Sequence, residues 1–342
     1  MPAGSQTGSI LFASLIGKGE SGYGTAATFS SGGRKFLVEP TGLITLGKTW
    51  ELGEERSIAY RAPIIATGAT LISNEPEISV SVPAASIDEA SIWYGMAFNP
   101  SISGTAAPYT WTIDPSNGTA SQSPTSYSFI SQDALGGTTT GGNAYLITGA
   151  LPTEISISAE RSGLTSMSAT LFAQDVTETT TNPAASTAIP TSVFMPGRLW
   201  KVAIGTALAT GTFTDYGFAL DFNLTLQTGI AKWSALNGTA TISGFAETAR
   251  LGGELTMTVQ SNAEASTKLF QQLGSQEFIR LTWTDGTRSL TIYLSTVISE
   301  VTPIAGEDAG ITTLTATARI ATDPVSLKPF KIVAVNTVSA LP

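Results

Sequence analysis

The chain has 342 residues, and its 17 lysines and arginines against 26 aspartates and glutamates give a formal net charge of −9. This acidic balance, without extended Lys/Arg clusters, argues against tight binding to nucleic acid, which requires cations that neutralise phosphates. Since the sequence contains neither cysteine nor histidine, it excludes thiolate nucleophiles, disulfides, Ser-His-Asp triads and zinc sites with the usual ligands.

The remaining composition predicts a globular β-rich protein. Hydrophobic residues make up 42% of the chain and charged residues only 13%, and a chain of this length can bury one or two cores. Serine, threonine, alanine and glycine are abundant, which is typical of many short strands joined by polar turns.

The first motif in chain order is "LIGKGESGYGTAATF" (residues 15–29), in which Gly17, Gly19 and Gly22 have the spacing of a dinucleotide-binding fingerprint. Such a site also needs a helix after the last glycine, because the helix N-terminus receives the pyrophosphate. The residues after Gly22 are rich in glycine, threonine and serine, which opposes helix formation. We therefore interpret the stretch as a glycine-rich arm or turn.

A strand followed by a capped helix is predicted in "EISVSVPAASIDEASIWYGMAF", which begins at Glu77. Alternate strand residues are apolar: Ile78, Val80 and Val82. Ser86 and Glu89 have the Ser-x-x-Glu spacing of a capping box, in which side chains satisfy backbone donors at a helix start. Asn99-Pro100 would stop the helix.

The same order of features returns in "ELTMTVQSNAEASTKLFQQLG", which begins at Glu254. Its strand alternates at Leu255, Met257 and Val259, and Ser261 with Glu264 forms a second predicted capping box. Further along, "YTWTID" (109–114) is matched by "RLTWTD" (280–285), and "GLTSMSATLFAQD" (from 163) by "GITTLTATARIATD" (from 310). The sequence therefore predicts a duplicated β-rich unit with one helix in each copy.

Two irregular stretches set the predicted domain boundaries. Residues 176–196 are broken by three prolines and are interpreted as an extended linker, between a first domain at 1–175 and a second at 197–342. Within the first domain, the Ser-, Gly- and Thr-rich stretch 115–143 is predicted to be a long surface loop.

The second domain contains "FALDFNLTL" (218–226), a predicted strand with one apolar and one polar face. Asp221, Asn223 and Thr225 share the polar face, which would be either a lumen wall or an ordinary solvated surface. The adjacent carboxylates Glu54-Glu55, Asp88-Glu89 and Glu307-Asp308 are the remaining candidates for acid/base chemistry, but adjacent residues point in different directions. We expect no catalytic, cofactor or metal site, and no stretch is apolar enough to span a membrane.

These residues resemble a known family. "IGKGESGYGTAATF" is similar to the Gly-x-Glu-x-x-Tyr-Gly-Thr stretch near the N-terminus of many tail tube (major tail) proteins of long-tailed bacteriophages. "FMPGRLWKVAI" (194–204) resembles the beginning of a second tube unit, and the last 32 residues resemble the closing strands.

The resemblance implies a mainly β fold with one helix per unit: two tandem tail-tube-type β-sandwich or barrel domains that contribute strands to a ring-shaped β-barrel. Rings of six units would form from three chains, in preference to six, and would stack into a tube. Asp221, Asn223 and Thr225 are the candidate lumen-facing residues. Tyr23, Gly24 and Thr25 are the candidate arm that contacts a neighbouring subunit or ring.

The implied partners are other copies of the chain, the tape-measure protein and double-stranded DNA in the lumen, and terminator and distal tail proteins at the tube ends. We expect the chain to be a virion component that is made in the host cytoplasm, and not an enzyme. The alternatives are another phage structural protein, such as a capsid decoration, fibre or adhesin module, and a carbohydrate-binding protein that uses exposed tryptophans.

Overall fold

The computed structural model describes most of the chain, with gaps. The described residues are 13–29, 33–39, 43–52, 69–115, 124–132, 144–179, 193–217, 219–234, 240–247, 251–308 and 311–342. Within these ranges the protein is mainly β, and its largest core cluster contains residues from both halves of the chain.

The first unit consists of twelve strands and one helix. They are β1 (Ala13–Gly19), β2 (Arg34–Val38), β3 (Ile44–Thr45), β4 (Lys48–Leu52), β5 (Ala69–Asn74), β6 (Glu77–Val82), α1 (Ile87–Phe98), β7 (Ser101–Ser103), β8 (Tyr109–Ile113), β9 (Tyr127–Gln132), β10 (Ala144–Glu160), β11 (Ser166–Phe172) and β12 (Asp175–Thr179).

The second unit consists of ten strands and a short helix, α2, that continues as a π-helical turn at Ser266–Phe270. Its elements are β13 (Trp200–Gly205), β14 (Phe213–Tyr216), β15 (Ala219–Gln227), β16 (Ile230–Trp233), β17 (Gly244–Glu247), β18 (Gly252–Gln260), α2 (Ala263–Ala265), β19 (Gln276–Thr284), β20 (Ser289–Asp308), β21 (Ile311–Ile320) and β22 (Phe330–Asn336).

The strand pairings of the first unit recur in the second. The antiparallel pairs β1–β2, β1–β9, β9–β10, β10–β12, β10–β11, β11–β6, β3–β6 and β4–β5 correspond to β13–β14, β13–β19, β19–β20, β20–β22, β20–β21, β21–β18, β15–β18 and β16–β17. A register shift also recurs, between Pro152 and Glu154 in β10 and between Ile298 and Glu300 in β20. The duplication predicted from sequence is therefore visible in the topology, down to a local irregularity.

Each unit contains one long strand that connects its two layers. The first half of β10 (144–150) pairs with β9 and β12 in an outer sheet, and its second half (151–160) pairs with β11 and β15. β20 divides in the same way, since β19 and β22 pair with its first half and β21 with residues 296–308. The second halves belong to one continuous sheet of both units, in the order β3-β6-β11-β10-β15-β18-β21-β20.

The two strands with the sequence Thr-Trp-Thr, β8 and β19, do not occupy equivalent places in the two units. β19, which carries Trp283, lies between β13 and β20, and the strand at the same place in the first unit is β9. β8, which carries Trp111, instead pairs with β22 of the second unit. The match was misleading because both tryptophans are fully buried, and a buried strand position favours the same residue types in either place.

Two predicted boundaries also differ from the structure. The predicted linker, 176–196, begins inside β12, because Asp175–Thr179 pairs with β10. Its last residues are also held in place, since the Met195 amide donates to the Ala85 carbonyl and the Met195 carbonyl accepts from the Thr165 amide. The predicted loop 115–143 contains β9, whereas 116–123 and 133–143 lie outside the described residues. Both errors arise because long-range ladders order segments whose local sequence is polar.

Helix α1 lies in the interior between the units, and all twelve of its residues are buried. Phe98 packs edge-on against Phe330 of β22, with 5.0 Å between ring centroids. After β22 the chain continues onto the first unit, where the Thr337 amide and hydroxyl donate to Asp88, and Trp111 Nε1 donates to the Val338 carbonyl at 2.7 Å. Neighbouring elements therefore cover α1 on every side and not along a single stripe.

The two helix starts differ. Ser86 accepts from the Glu89 amide while the Glu89 carboxylate accepts from the Ser86 amide, which is the predicted capping box. In the second unit the cap is Asn262, whose side chain accepts from the Ala265 amide, and not Ser261. The side chain of Glu264 lies outside the described residues. No helix of the described part of the chain is both long and apolar enough to cross a membrane.

Replacing Phe98 should weaken the contact between the units. The Phe98→Ala substitution removes a ring that is only 2% exposed, and it should lower the free energy of unfolding by about 3–5 kcal/mol. Urea unfolding of the unassembled chain measures the loss. The matched control is Phe270→Ala in the second helix, where the ring is 48% exposed and the loss should stay below about 1 kcal/mol. Equal losses would show that α1 does not join the units.

Candidate functional site: the polar face and free edges of the continuous sheet

One face of the continuous sheet packs on the core and the other carries polar side chains, because successive residues of a strand point to opposite faces. The polar face contains Glu77, Ser79, Ser81, Ser166, Ser168, Thr170, Glu154, Ser156, Ser158, Glu160, Asp221, Asn223, Thr225, Gln227, Glu254, Thr256, Thr258, Gln260, Thr315, Thr317, Arg319, Glu300 and Thr302. Its composition is mostly short hydroxyl side chains and carboxylates.

Hydroxyl groups pair across the strands of this polar face. Ser156 Oγ lies 2.8 Å from Thr225 Oγ1, and Ser158 Oγ lies 2.7 Å from Ser166 Oγ. Because these hydroxyls bond to one another, the surface presents short neutral groups with much of their hydrogen-bonding capacity already used.

The charges of the polar face are almost all negative. Six carboxylates, Glu77, Glu154, Glu160, Asp221, Glu254 and Glu300, lie on it with a single arginine, Arg319. Arg319 lies directly opposite Glu254 in the β18–β21 ladder. The field of this face therefore repels phosphates, since a surface lined by one sign of charge excludes ions of the same sign.

The predicted lumen residues lie on this face, in β15. Asn223 is exposed and Asp221 and Thr225 are half-buried. Asp221 faces Glu160 of β10 across the ladder, which places two like charges side by side on the surface. Of the apolar partners predicted for the opposite face, Phe222, Leu224 and Leu226 are buried, Leu220 is half-buried, and Phe218 lies outside the described residues.

The ladder between β10 and β15 joins the two units. It runs from Glu154 opposite Gln227 to Glu160 opposite Asp221, and it includes the pair Ile155 and Leu226, both with no exposed surface. This ladder has no counterpart among the pairings within either unit. Sequence reasoning did not find it, because alternation identifies strands but does not specify their partners.

The two ends of the continuous sheet lack such a ladder among the described strands. The corresponding ladders of the two units can be aligned residue by residue. In this alignment Thr45 and Leu46 of the first unit occupy the positions of Thr225 and Leu226 in the second. Likewise, Val301 and Thr302 of the second unit occupy the positions of Ile155 and Ser156 in the first. Leu46 is 47% exposed, whereas Leu226 is fully buried. The edge at β3 and the edge at residues 298–308 of β20 therefore repeat the two sides of the β10–β15 ladder, each without its partner strand.

The predicted arm is folded onto its own chain. The buried Glu20 carboxylate accepts from the Gly24 amide at 2.9 Å and the Gly149 amide at 2.8 Å, and also from the hydroxyls of Ser126 and Ser128. Gly24 has a left-handed φ of 70°, and a Cβ there would overlap the Gln174 side chain. The informative residue of the motif is thus the glutamate, which orders the turn with four hydrogen bonds.

Tyr23 of this turn contacts the second unit. Its ring lies 5.5 Å from that of Phe245 in β17. Burial, together with the nearby Glu20 carboxylate, raises the pKa of the Tyr23 phenol above its usual value. Thr25 is exposed. The Tyr23-Gly24-Thr25 turn therefore serves a contact between units of one chain, and its predicted contact with a neighbouring subunit stays a prediction.

Of the three adjacent carboxylate pairs, the structure describes the side chains of Asp88 and Glu89. Asp88 and Glu89 are buried but hold Thr337 and the start of α1. Glu54-Glu55 and the side chains of Glu307-Asp308 lie outside the described residues. No group of three or more acidic side chains in the described ranges is arranged to hold a metal ion.

One comparison with known proteins gives a match. Residues 13–320 match the family model described as "Phage tail tube protein". No curated protein matches the sequence. The matched range covers both units and the continuous sheet.

Proposed function

Because the chain belongs to the phage tail tube protein family, a structural family of the virion whose members build the tail tube, we propose that three copies form a ring of six tube units. Stacked rings then form the conduit through which the genome leaves the particle. The observation that carries this proposal is the β10–β15 ladder, because it is a unit-to-unit contact already formed inside one chain.

The free edges support the ring. An open strand edge offers unpaired amides and carbonyls that pair with another strand, and closure into a barrel removes such edges. If residues 298–308 of β20 pair with the β3 segment of the next chain as β10 pairs with β15, Val301 lies opposite Leu46 and Thr302 opposite Thr45. This contact is head-to-tail, and it closes when the rotation between units divides a full turn evenly.

The polar face supports the conduit. When the continuous sheet closes with its core face outward, the polar face lines the lumen, and its carboxylates and paired hydroxyls meet the transiting DNA and the tape-measure protein. A lumen of this chemistry makes few phosphate contacts, and each phosphate contact avoided lowers friction on the moving DNA. Terminator and distal tail proteins then cap the two ends of the tube.

Paired cysteines test the ring, since the chain contains no cysteine of its own. In the double variant Thr45→Cys with Thr302→Cys, oxidation of assembled protein should link each chain to its two neighbours. The equivalent internal side chains, Ser156 and Thr225, lie 2.8 Å apart, a separation at which replacement by cysteines brings two sulfurs within bonding reach. Non-reducing gel electrophoresis should show covalent dimers and trimers and no larger species.

The matched control carries Ser156→Cys with Thr225→Cys. Its disulfide should form within one chain, so the protein should still migrate as a monomer. Each single variant of Thr45 or Thr302 should give no trimer. A ladder extending to six chains would refute the trimer but keep the edge contact. Absence of crosslinks in protein that microscopy shows as intact tubes would refute the edge contact itself.

A charge reversal tests the lumen. The Asp221→Lys substitution should leave tube assembly intact, because Glu160 lies opposite this position and can pair with a cation. It should slow DNA ejection severalfold, since a cation repeated around every ring contacts passing phosphates. Ejection is measured from purified particles by the rate of DNA release.

The matched control is Glu178→Lys, the same kind of charge reversal at an exposed position of β12 in the outer sheet. It should eject DNA at the unmodified rate. Equal ejection rates for the two variants would place the polar face on the outside of the tube.

A further inference from the structure

Two hairpins extend from the same end of the continuous sheet, and each exposes one tryptophan. The first hairpin is β4–β5 and carries Trp50, and the second is β16–β17 and carries Trp233. The two side chains are 55% and 56% exposed. Tryptophan presents a large ring with an apolar body, and its exposure in the corresponding hairpin of both units makes these two residues candidates for a contact with another chain.

Contact with a lateral neighbour does not account for the exposure of Trp233. The second hairpin already has its lateral neighbour, because the first unit lies beside it: the Asn74 amide donates to the Ala240 carbonyl, Lys232 pairs with Glu75, and Phe245 packs on Tyr23. Trp233 remains exposed despite these contacts. A partner that covers Trp233 therefore approaches from beyond the end of the sheet, and the corresponding hairpin of the first unit faces the same side.

The opposite end of the sheet also exposes apolar residues in both units, and two of them occupy equivalent positions. Leu164 lies two residues before the start of β11 and is 47% exposed, and Ile311 begins β21 and is 40% exposed. Register transfer through the β6–β11 and β18–β21 ladders makes these two residues equivalent. β11 lies between β6 and β10, so Leu164 too stays exposed with strands on both sides.

Strand direction places the two sets at opposite ends. β6 begins next to the first hairpin, and its first residue, Glu77, lies opposite Phe172, the last residue of β11. Leu164 precedes the other end of β11. In the second unit Glu254, near the start of β18, lies opposite Arg319, near the end of β21, whereas Ile311 is at the start of β21.

From this arrangement we propose that Trp50 and Trp233 are the axial anchors between rings, and that they bind the rim formed by Leu164 and Ile311 of the next ring. The inference rests on the proposed tube. In a tube of identical rings stacked head to tail, the hairpin end of one ring meets the rim end of the next. Each chain then supplies two tryptophans and two equivalent rim residues to this contact, and tryptophan is typical of the residues that dominate an interface.

The contact also differs from the predicted arm. The Tyr23-Gly24-Thr25 turn is held by Glu20 and packs inside its own chain, whereas the hairpins present their tryptophans outward. Axial stacking is therefore assigned to the hairpins, and the turn indirectly supports it by packing against β17 of the second hairpin.

The test removes each half of the contact separately. The double variant Trp50→Ser with Trp233→Ser should form single rings but lose multi-ring tubes, by about ten-fold or more at matched chain concentration. The double variant Leu164→Asp with Ile311→Asp should show the same loss. Trp50→Phe with Trp233→Phe keeps an apolar ring and should restore tubes. Negative-stain microscopy and sedimentation count rings and tubes.

Mixing the two defective rings gives the decisive readout. Rings with substituted tryptophans keep an intact rim, and rings with a substituted rim keep intact hairpins, so the mixture should form stacks of two rings and no longer tubes. Tubes of normal length from the tryptophan variant, or a mixture that yields single rings only, would overturn the proposal. A folded tryptophan variant that forms no rings would show that these residues serve lateral closure, which also overturns it. Absence of rings from the unsubstituted protein would instead contradict the proposed function.

Discussion

The antiparallel ladder between β10 and β15 is the interaction on which the rest of the structure depends. A strand edge exposes backbone donors and acceptors that favour pairing with another strand, and this ladder satisfies one such edge from each unit while burying Ile155 and Leu226. It makes one continuous sheet from two copies of a unit. It also leaves the same two kinds of edge at the outer ends, with Leu46 exposed at one of them. In the proposed ring, assembly repeats a contact that folding has already formed once within the chain.

The two copies have diverged where they meet inside the chain. The first unit inserts β7 and β8, and β8 pairs with β22 of the second. The β8–β22 pairing and the residues after β22 enclose helix α1. In the second unit, by contrast, Phe270 of the helical segment and Leu273 of the turn after it are about half exposed. The contact within a chain therefore includes the β8–β22 ladder in addition to the β10–β15 ladder. This asymmetry favours a ring of three folded chains over one of six independent units.

Features that depend on local sequence could be predicted. Strand alternation located β6, β15 and β18 because side chains alternate with a period of two, and the Ser86 capping box follows from a spacing of three residues. Features that depend on distant partners were missed or misassigned: β9 inside a polar loop, β12 inside a proline-rich linker, and the pairing of β8 with β22. The exposed pairs, Trp50 with Trp233 and Leu164 with Ile311, could not be found either, because exposure depends on packing that a linear pattern does not contain.

In the proposed tube, the type of ladder that β10 and β15 form within a chain also joins units of neighbouring chains. A cryo-electron microscopy reconstruction of the assembled tube, at a resolution that separates strands, tests it most directly. We expect threefold rings in which each chain contributes eight strands to one barrel. Residues 298–308 of β20 should pair with the β3 segment of the next chain. Rings in which those two edges lie apart, or in which another surface joins the chains, would contradict it.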